Sequence, residues 1–212
     1  LQRHQPDVTP AIHHEGVLFL CTLIPGTNGD THPKRVTHPD EDDWKKLTRV
    51  YLQGTITLKL RLAADGSGNV EWYIDASHAV HFDMKGHTGG TMTMGKGSIY
   101  STANSQKLVA RSSTESELIA VYDVMPQVLW TQHFLDAQGH TVKNNIIHQD
   151  NKSSILLAKN GRRSSSKRTR HINIRYFHVA DHVAAGTVRI HHCPTKEMLA
   201  DYFTKPLQGL QF

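Results

Sequence analysis

Apolar residues recur along this chain in two different periods, and the change from one to the other outlines its elements. Val70, Trp72 and Ile74 alternate with Glu71, Tyr73 and Asp75, the two-residue period of a half-buried strand. Just before it, Asp65-Gly66-Ser67-Gly68 is a strong turn, and it marks the boundary between a segment 1–65 and a domain 66–212. Gly89 to Met94 and Ser98 to Ala103 predict two more strands, joined at Gly95-Lys96-Gly97. The spacing then becomes three and four: Leu118, Val121, Tyr122, Met125, Val128 and Leu129 would line one face of a long helix starting near Ser113. Ser112 or Ser113 can cap it, Ser112-x-x-Glu115 has capping-box form, and Pro126 removes a backbone donor and predicts a kink.

Further on, Asn145 to Gln149 reads as a short strand ending at Asp150, followed by a helix through about Lys159. A Gly/Ser/basic loop leads to a helix from about Ile172 to Ala185, then a strand from Thr187 to His192. Thr195 can cap a final helix through about Thr204. The order β-β-β-α-β-α-α-β-α predicts an α/β domain, a mixed sheet with helices packed on it. Ahead of the boundary the pattern is weaker. An apolar run spans Val17 to Leu23, and Pro25, Gly26, Asn28, Gly29 and Pro33 mark a loop. A helix then begins at Pro39, with Asp40 to Asp43 at its start and Trp44, Leu47 and Tyr51 as its stripe.

Composition changes this picture in three ways. With 38% hydrophobic residues the chain can bury a core, yet no apolar run approaches a membrane span and the start lacks signal-peptide form. Opening on Leu rather than Met suggests a piece of something longer. Cys21 and Cys193 are too few for a disulfide framework or a cysteine zinc site, which fits a reducing intracellular setting. Charge is uneven: residues 151–212 hold 11 Lys+Arg against 3 Asp+Glu, and the rest hold 13 against 16. A basic end on a mildly acidic body outlines a nucleic-acid binder, with a merely solvated basic surface as the plain rival. The basic cluster is Arg162, Arg163, Lys167, Arg168, Arg170 and Arg175, with no acidic residue between 160 and 180. It suits phosphate contacts whatever the base sequence. Nuclear import or protein docking is the competing use of such a cluster.

Four carboxylates stand where a metal site could be assembled: Asp75 on the polar face of its strand, Glu117 on the long helix, Asp150 at a strand end and Asp201 on the last helix. A few carboxylates and a substrate phosphate suffice for Mg²⁺, and two such ions can drive in-line phosphodiester hydrolysis. Each residue also fits a plainer role, as a strand terminator, a helix cap or a solvated helix position. Helical geometry alone does not separate Glu115 from Glu117, since both lie about equally far from the centre of the apolar stripe. His178 and His182 have metal-ligand spacing on a helix but no third ligand, and read as surface histidines.

Five stretches occur in order: Tyr73-Ile74-Asp75-Ala76-Ser77, Gln106 through Leu118, His148-Gln149-Asp150-Asn151, Lys167-Arg168-Thr169-Arg170-His171-Ile172, and Leu199 through Leu207 with Ala200-Asp201 and Thr204-Lys205-Pro206. Together, over residues 69–209, they closely resemble the C-terminal ribonuclease H region of copia-type retrotransposon polyproteins. The resemblance implies a ribonuclease H-like fold, with a five-stranded mixed sheet of three antiparallel strands followed by two parallel ones. It also implies that Asp75, Glu117, Asp150 and Asp201 are the catalytic and metal-binding carboxylates. Glu117 is preferred over Glu115 because the family pattern is matched by Glu117-Leu118-Ile119-Ala120. The implied reaction is hydrolysis of the RNA strand of RNA–DNA hybrids by two Mg²⁺ ions, or Mn²⁺ in their place. Gln106 is expected to touch the hybrid backbone together with the basic cluster.

Cellular ribonucleases H carry a loop histidine where this chain reads His192-Cys193-Pro194-Thr195-Lys196; His191 and His192, just upstream, are expected to be ordinary strand residues. Asp43-Trp44-Lys45-Lys46-Leu47 with Gly54-Thr55 resembles the connection between polymerase and ribonuclease H, with Ile24 to Arg35 looking inserted. No Tyr-x-Asp-Asp polymerase motif is present. The polymerase part of the same polyprotein is therefore an expected partner and no membrane is. Location is expected in the cytoplasm, inside the parent element's virus-like particles, with the nucleus as a second site. The alternative function is an inactive relic that binds nucleic acid without cutting it. An integrase-like nuclease would need different acidic spacing.

Overall fold

The computed structural model describes residues 41–46, 48, 53, 59–160 and 173–205. A short helix, Glu41–Lys46, lies where the first helix is expected, and Trp44 is exposed; Leu47 and Tyr51 fall outside the described residues, as does the loop 161–172. Lys59–Lys205 form one compact unit. Among the described residues no helix is long and apolar enough to cross a membrane.

Its sheet has five strands: β1 (Asn69–Ser77), β2 (His87–Thr93), β3 (Tyr100–Ser105), β4 (Asn144–Gln149) and β5 (Arg189–His192). Their order is β3-β2-β1-β4-β5. The pairs β1–β2 and β2–β3 are antiparallel, and β1–β4 and β4–β5 are parallel. α1 (Ser113–Ala137) connects β3 to β4, α2 (Lys152–Asn160) and α3 (Asn173–Ala184) lie between β4 and β5, and the one-turn α4 (Asp201–Thr204) follows β5. Three antiparallel strands followed by two parallel strands reached through helices is the ribonuclease H-like arrangement, as the motifs imply.

The alternation along β1 is realised, with Val70, Trp72 and Ile74 all buried. They form the core with Val121, Met125 and Val128 of α1, Ile147 of β4 and Val179 of α3. Long-range burial, rather than helix propensity, holds α1 in place. Its stripe is narrower in the sequence than in the structure: every residue from Glu115 to Val121 is buried. The helix start is enclosed by the chain entering it, for Gln106 donates to the Ser116 carbonyl at 2.9 Å and the His78 ring lies 2.9 Å from the Ser116 hydroxyl. The helix continues through Pro126, which is exposed.

Two expected boundaries shift for local reasons. Gly95-Lys96-Gly97 is not a plain hairpin turn: Gly95–Lys96 pair antiparallel with Ala63–Ala64. Gly95 has φ +139, and a Cβ there would meet the Asp65 nitrogen at 2.7 Å. The third strand accordingly begins at Tyr100 rather than Ser98. The expected final helix is also broken in two. Thr195–Glu197 make a 3₁₀ turn, Met198 is extended, and the helix resumes at Asp201. Met198 and Ala200 are buried with Cys193 against Tyr73, an anchoring that one continuous helix does not provide.

Candidate metal centre

Asp75 is reached near the end of β1, where its Cα partner on β2 is Gly89. That pairing sets how the C-terminal segment can approach. A Cβ on Gly89 would lie 2.5 Å from Thr204 Cγ2, 2.9 Å from Phe203 Cβ and 3.1 Å from the Ala200 carbonyl. The missing side chain lets α4 rest directly on the sheet beside Asp75. Thr204 then donates its hydroxyl to Asp75 Oδ2, and Lys205 Nζ lies 3.4 Å from the same oxygen.

Glu117 arrives from α1, and the start of that helix settles which glutamate faces the site. Ser112 caps the helix, accepting from the Glu115 nitrogen at 3.3 Å, and Glu115 Oε2 accepts from the Arg111 nitrogen at 3.0 Å. Glu115 is thereby committed to the cap. Glu117 instead accepts from Gln149 Nε2 at 3.2 Å. Gln149 is held by the Ile74 carbonyl at 3.2 Å and by the Ser154 hydroxyl, 3.3 Å from its Oε1. The next residue, Asp150, follows β4 and is half-buried; its Oδ2 accepts from the Thr195 hydroxyl at 3.1 Å. Thr195 thus reaches the site from the turn where cellular ribonucleases H carry a histidine.

Asp75, Glu117 and Asp150 each place a carboxylate oxygen within 4.8 Å of the others. No other such cluster of three occurs among the described residues. Asp201 is not part of this trio. It is buried at the first position of α4 and joined to the site through Lys205, whose Nζ lies 2.6 Å from Asp201 Oδ1.

Burial raises both buried carboxyls of the trio. Asp75 is pushed up by burial, with Asp201 and Asp150 adding to the effect and Lys205 and Thr204 opposing it. Glu117 is raised further, first by burial and then by the charges of Asp75 and Asp150. Burial pulls the Lys205 ammonium down, but Asp75 and Asp201 outweigh it and hold it above its ordinary range. The donor set fits a hard divalent cation: the ligands are all oxygen, crowded and short of positive charge, and Asp150 opens toward solvent. An ion there would offset the burial, and after it the mutual repulsion, that raise Glu117 and Asp75.

The remaining sequence candidates lie elsewhere. Gln106 is not a surface contact. It is 1% exposed and donates to Thr88 and to the Ser116 carbonyl, while a Cβ on Gly86 would overlap its side-chain oxygen. It braces the start of α1, a role its polar type concealed in the sequence. Arg175 is half-buried on α3, its guanidinium 5.2 Å from the centre of the Tyr122 ring on α1. Arg162, Arg163, Lys167, Arg168 and Arg170 lie outside the described residues. His178 and His182 are half-buried, their ring centres 4.7 Å apart, and share no cluster with a third ligand. His191 and His192 are exposed on β5. Sequence reasoning passed over Gln149, Thr195, Thr204 and Lys205 as site residues; the signal available was their position next to, or within the same motif as, the four acids.

No protein-family model matches the chain. It is 30% identical over 178 residues to the retrovirus-related Pol polyprotein from transposon TNT 1-94 of Nicotiana tabacum, covering 82% of this chain and 13% of that one. To the retrovirus-related Pol polyprotein from transposon RE2 of Arabidopsis thaliana it is 32% identical over 178 residues, covering 82% and 12%. The chain therefore spans about an eighth of the length of these relatives. Among solved structures it is similar to LC11-RNase H1, isolated from compost by a metagenomic approach. That match has 12% identity and a TM-score of 0.46, and covers 64% of this chain and 92% of the other. The strand order and connections, together with these sequence matches, carry the conclusion: over 82% of its length the chain is homologous to a portion of the retrovirus-related Pol polyproteins of plant transposons, and it has a ribonuclease H-like fold.

Proposed function

We propose that this chain is the ribonuclease H of a copia-type retrotransposon polyprotein and hydrolyses the RNA strand of RNA–DNA hybrids during reverse transcription. The observation that carries the reading is the meeting of Asp75, Glu117 and Asp150 within 4.8 Å, brought from a strand, a helix and a strand end far apart in sequence. Asp75, Glu117 and Asp150 would hold one Mg²⁺ or Mn²⁺, and Asp201 with Asp75 would contribute to a second. When bound, such ions activate the attacking water and stabilise the leaving oxygen of an in-line displacement. Glu117 is kept in place by Gln149, and Asp150 by Thr195. Asp75 is oriented by Thr204, so the three acids are set before substrate arrives. None of these groups is placed as a nucleophile, and no covalent intermediate is required.

The basic stretch 162–175 supports grip on the hybrid's phosphates, with marked salt sensitivity. The segment 1–65 is read as part of the polymerase connection, and the polymerase part of the parent polyprotein as the partner. The working location is the element's virus-like particle in the cytoplasm, or the nucleus. The test is cleavage of a labelled RNA–DNA hybrid with Mg²⁺ by the wild-type chain and by Asp150→Asn. RNA cut only within the hybrid, and lost in the variant, is the expected result. A folded protein that binds the hybrid and never cuts it identifies a relic and overturns the reading.

A further inference from the structure

Four carboxylates surround the site, yet they are not equivalent. Asp75, Glu117 and Asp150 approach one another, whereas Asp201 is occupied by a cation that the chain itself provides. Lys205 Nζ sits 2.6 Å from Asp201 Oδ1 and 3.4 Å from Asp75 Oδ2, between the one acid outside the trio and the acid shared by both groups. Its placement is built into the backbone. The Lys205 nitrogen donates to the Asp201 carbonyl at 3.0 Å, closing the single turn of α4, and the four-residue spacing puts the two side chains on one face. That turn is in turn seated on β2 by the absent side chain of Gly89. The ammonium is only partly exposed, and it is the one lysine paired with these acids among the described residues.

We propose that Lys205 is a positioning residue that sets how many divalent cations the metal centre takes, holding the Asp201–Asp75 side as a resident counter-ion so that the substrate-free protein binds one ion at Asp75, Glu117 and Asp150. A second ion needs Asp201, and it gains that oxygen only when the ammonium leaves. Two positive groups cannot share the space between Asp201 and Asp75 without strong repulsion. A hybrid phosphate is a group able to draw the ammonium away, because its negative charge offers the lysine an alternative partner. This inference rests on the metal-site reading above, and its test separates the two.

The experiment counts Mn²⁺ bound to the full chain without nucleic acid, by calorimetric titration and by the electron paramagnetic resonance signal of free Mn²⁺. Wild type and Lys205→Arg are expected to bind one ion. Lys205→Met is expected to bind two, the second at least about tenfold tighter than any second ion in wild type, the effect of removing a unit charge a few ångströms away. Lys205→Gln removes the charge but keeps a donor for Asp201, and carries the test if the methionine variant does not fold. Unchanged stoichiometry and affinity in the neutral variants would overturn the role of Lys205 while leaving the metal centre standing. So would two equally tight ions in wild type. Absence of Mn²⁺ binding to every form would overturn the metal centre, and this inference with it.

Discussion

Replacing Glu117 by Gln should stabilise the metal-free protein, and the size of the effect follows from where the carboxyl sits. Glu117 is 5% exposed, and burial together with Asp75 and Asp150 raises it from an ordinary 4.5 to about 9. In the unfolded chain it ionises near its ordinary value; in the folded chain it must either take up a proton or carry a charge in an unfavourable place. Because the folded value lies above the unfolded one for an acid, stability falls as pH rises from 4.5 to 9, by about 1.4 kcal/mol per pH unit. At pH 7 the cost is about 3 kcal/mol, and at pH 5.5 about 1 kcal/mol. Gln has nearly the same shape and no charge, and its oxygen can still accept from Gln149. The variant is therefore expected to exceed wild type by about 2–3 kcal/mol at pH 7 in EDTA, with the gain shrinking to about 1 kcal/mol at pH 5.5. Urea unfolding followed by the fluorescence of the fully buried Trp72 measures this. Added Mg²⁺ should narrow or reverse the gap, since only wild type keeps the third carboxylate. A less stable variant at pH 7, or a gain that does not change with pH, would refute the electrostatic account of this site.

Other consequences follow from the same geometry. Gly89→Ala drives a methyl into Thr204 and Phe203, so a loss of about 1–3 kcal/mol is expected, with weaker Mn²⁺ binding because Thr204 moves off Asp75; equal melting temperature and affinity would contradict the close approach. Burial, with the neighbouring His81, lowers His87 from 6.5 to about 4, so protonation favours the unfolded chain. Its stabilising contribution is complete above pH 6.5 and is lost as pH falls toward 4, about 3 kcal/mol in all; His87→Gln should flatten that part of the urea-midpoint curve. Trp72→Ala, at a position with no exposure, should cost about 3–5 kcal/mol, and a smaller loss by urea unfolding would mean the core closes over the gap.

Much of the sheet could be read from alternation alone. Val70, Trp72 and Ile74 declare β1 because a strand half-buried on one face must alternate, and the three antiparallel strands follow at turn-bounded spacing. The long helix was legible from Leu118, Val121, Met125 and Val128. Its start at Ser113 and its Ser112 cap were legible too, but the burial of its first two turns was not, because their enclosure depends on Gln106 and His78, residues that approach only once the chain has folded. The C-terminal break between Glu197 and Asp201 was equally hidden: good helix formers there yield to the burial of Met198 and Ala200 against Tyr73.

For the site, local order in the chain suffices to nominate acids but not to rank them. Glu115 and Glu117 are indistinguishable by helical spacing; the structure separates them because Ser112 and Arg111 claim Glu115 for the cap. Asp201 looks equivalent to the other three until Lys205, four residues on, is seen to hold it. Gln106 shows the opposite error, a polar residue that suggested a surface and proves to be internal bracing. Periodicity and turn chemistry are properties of neighbouring residues, so the chain announces its strands and helices directly. Burial, charge pairing and metal-ligand distance depend largely on residues far apart in the chain, tens of positions for Asp75, Glu117 and Asp150 and more than a hundred for Asp75 and Lys205, and these exist only after the sheet and its helices have packed together.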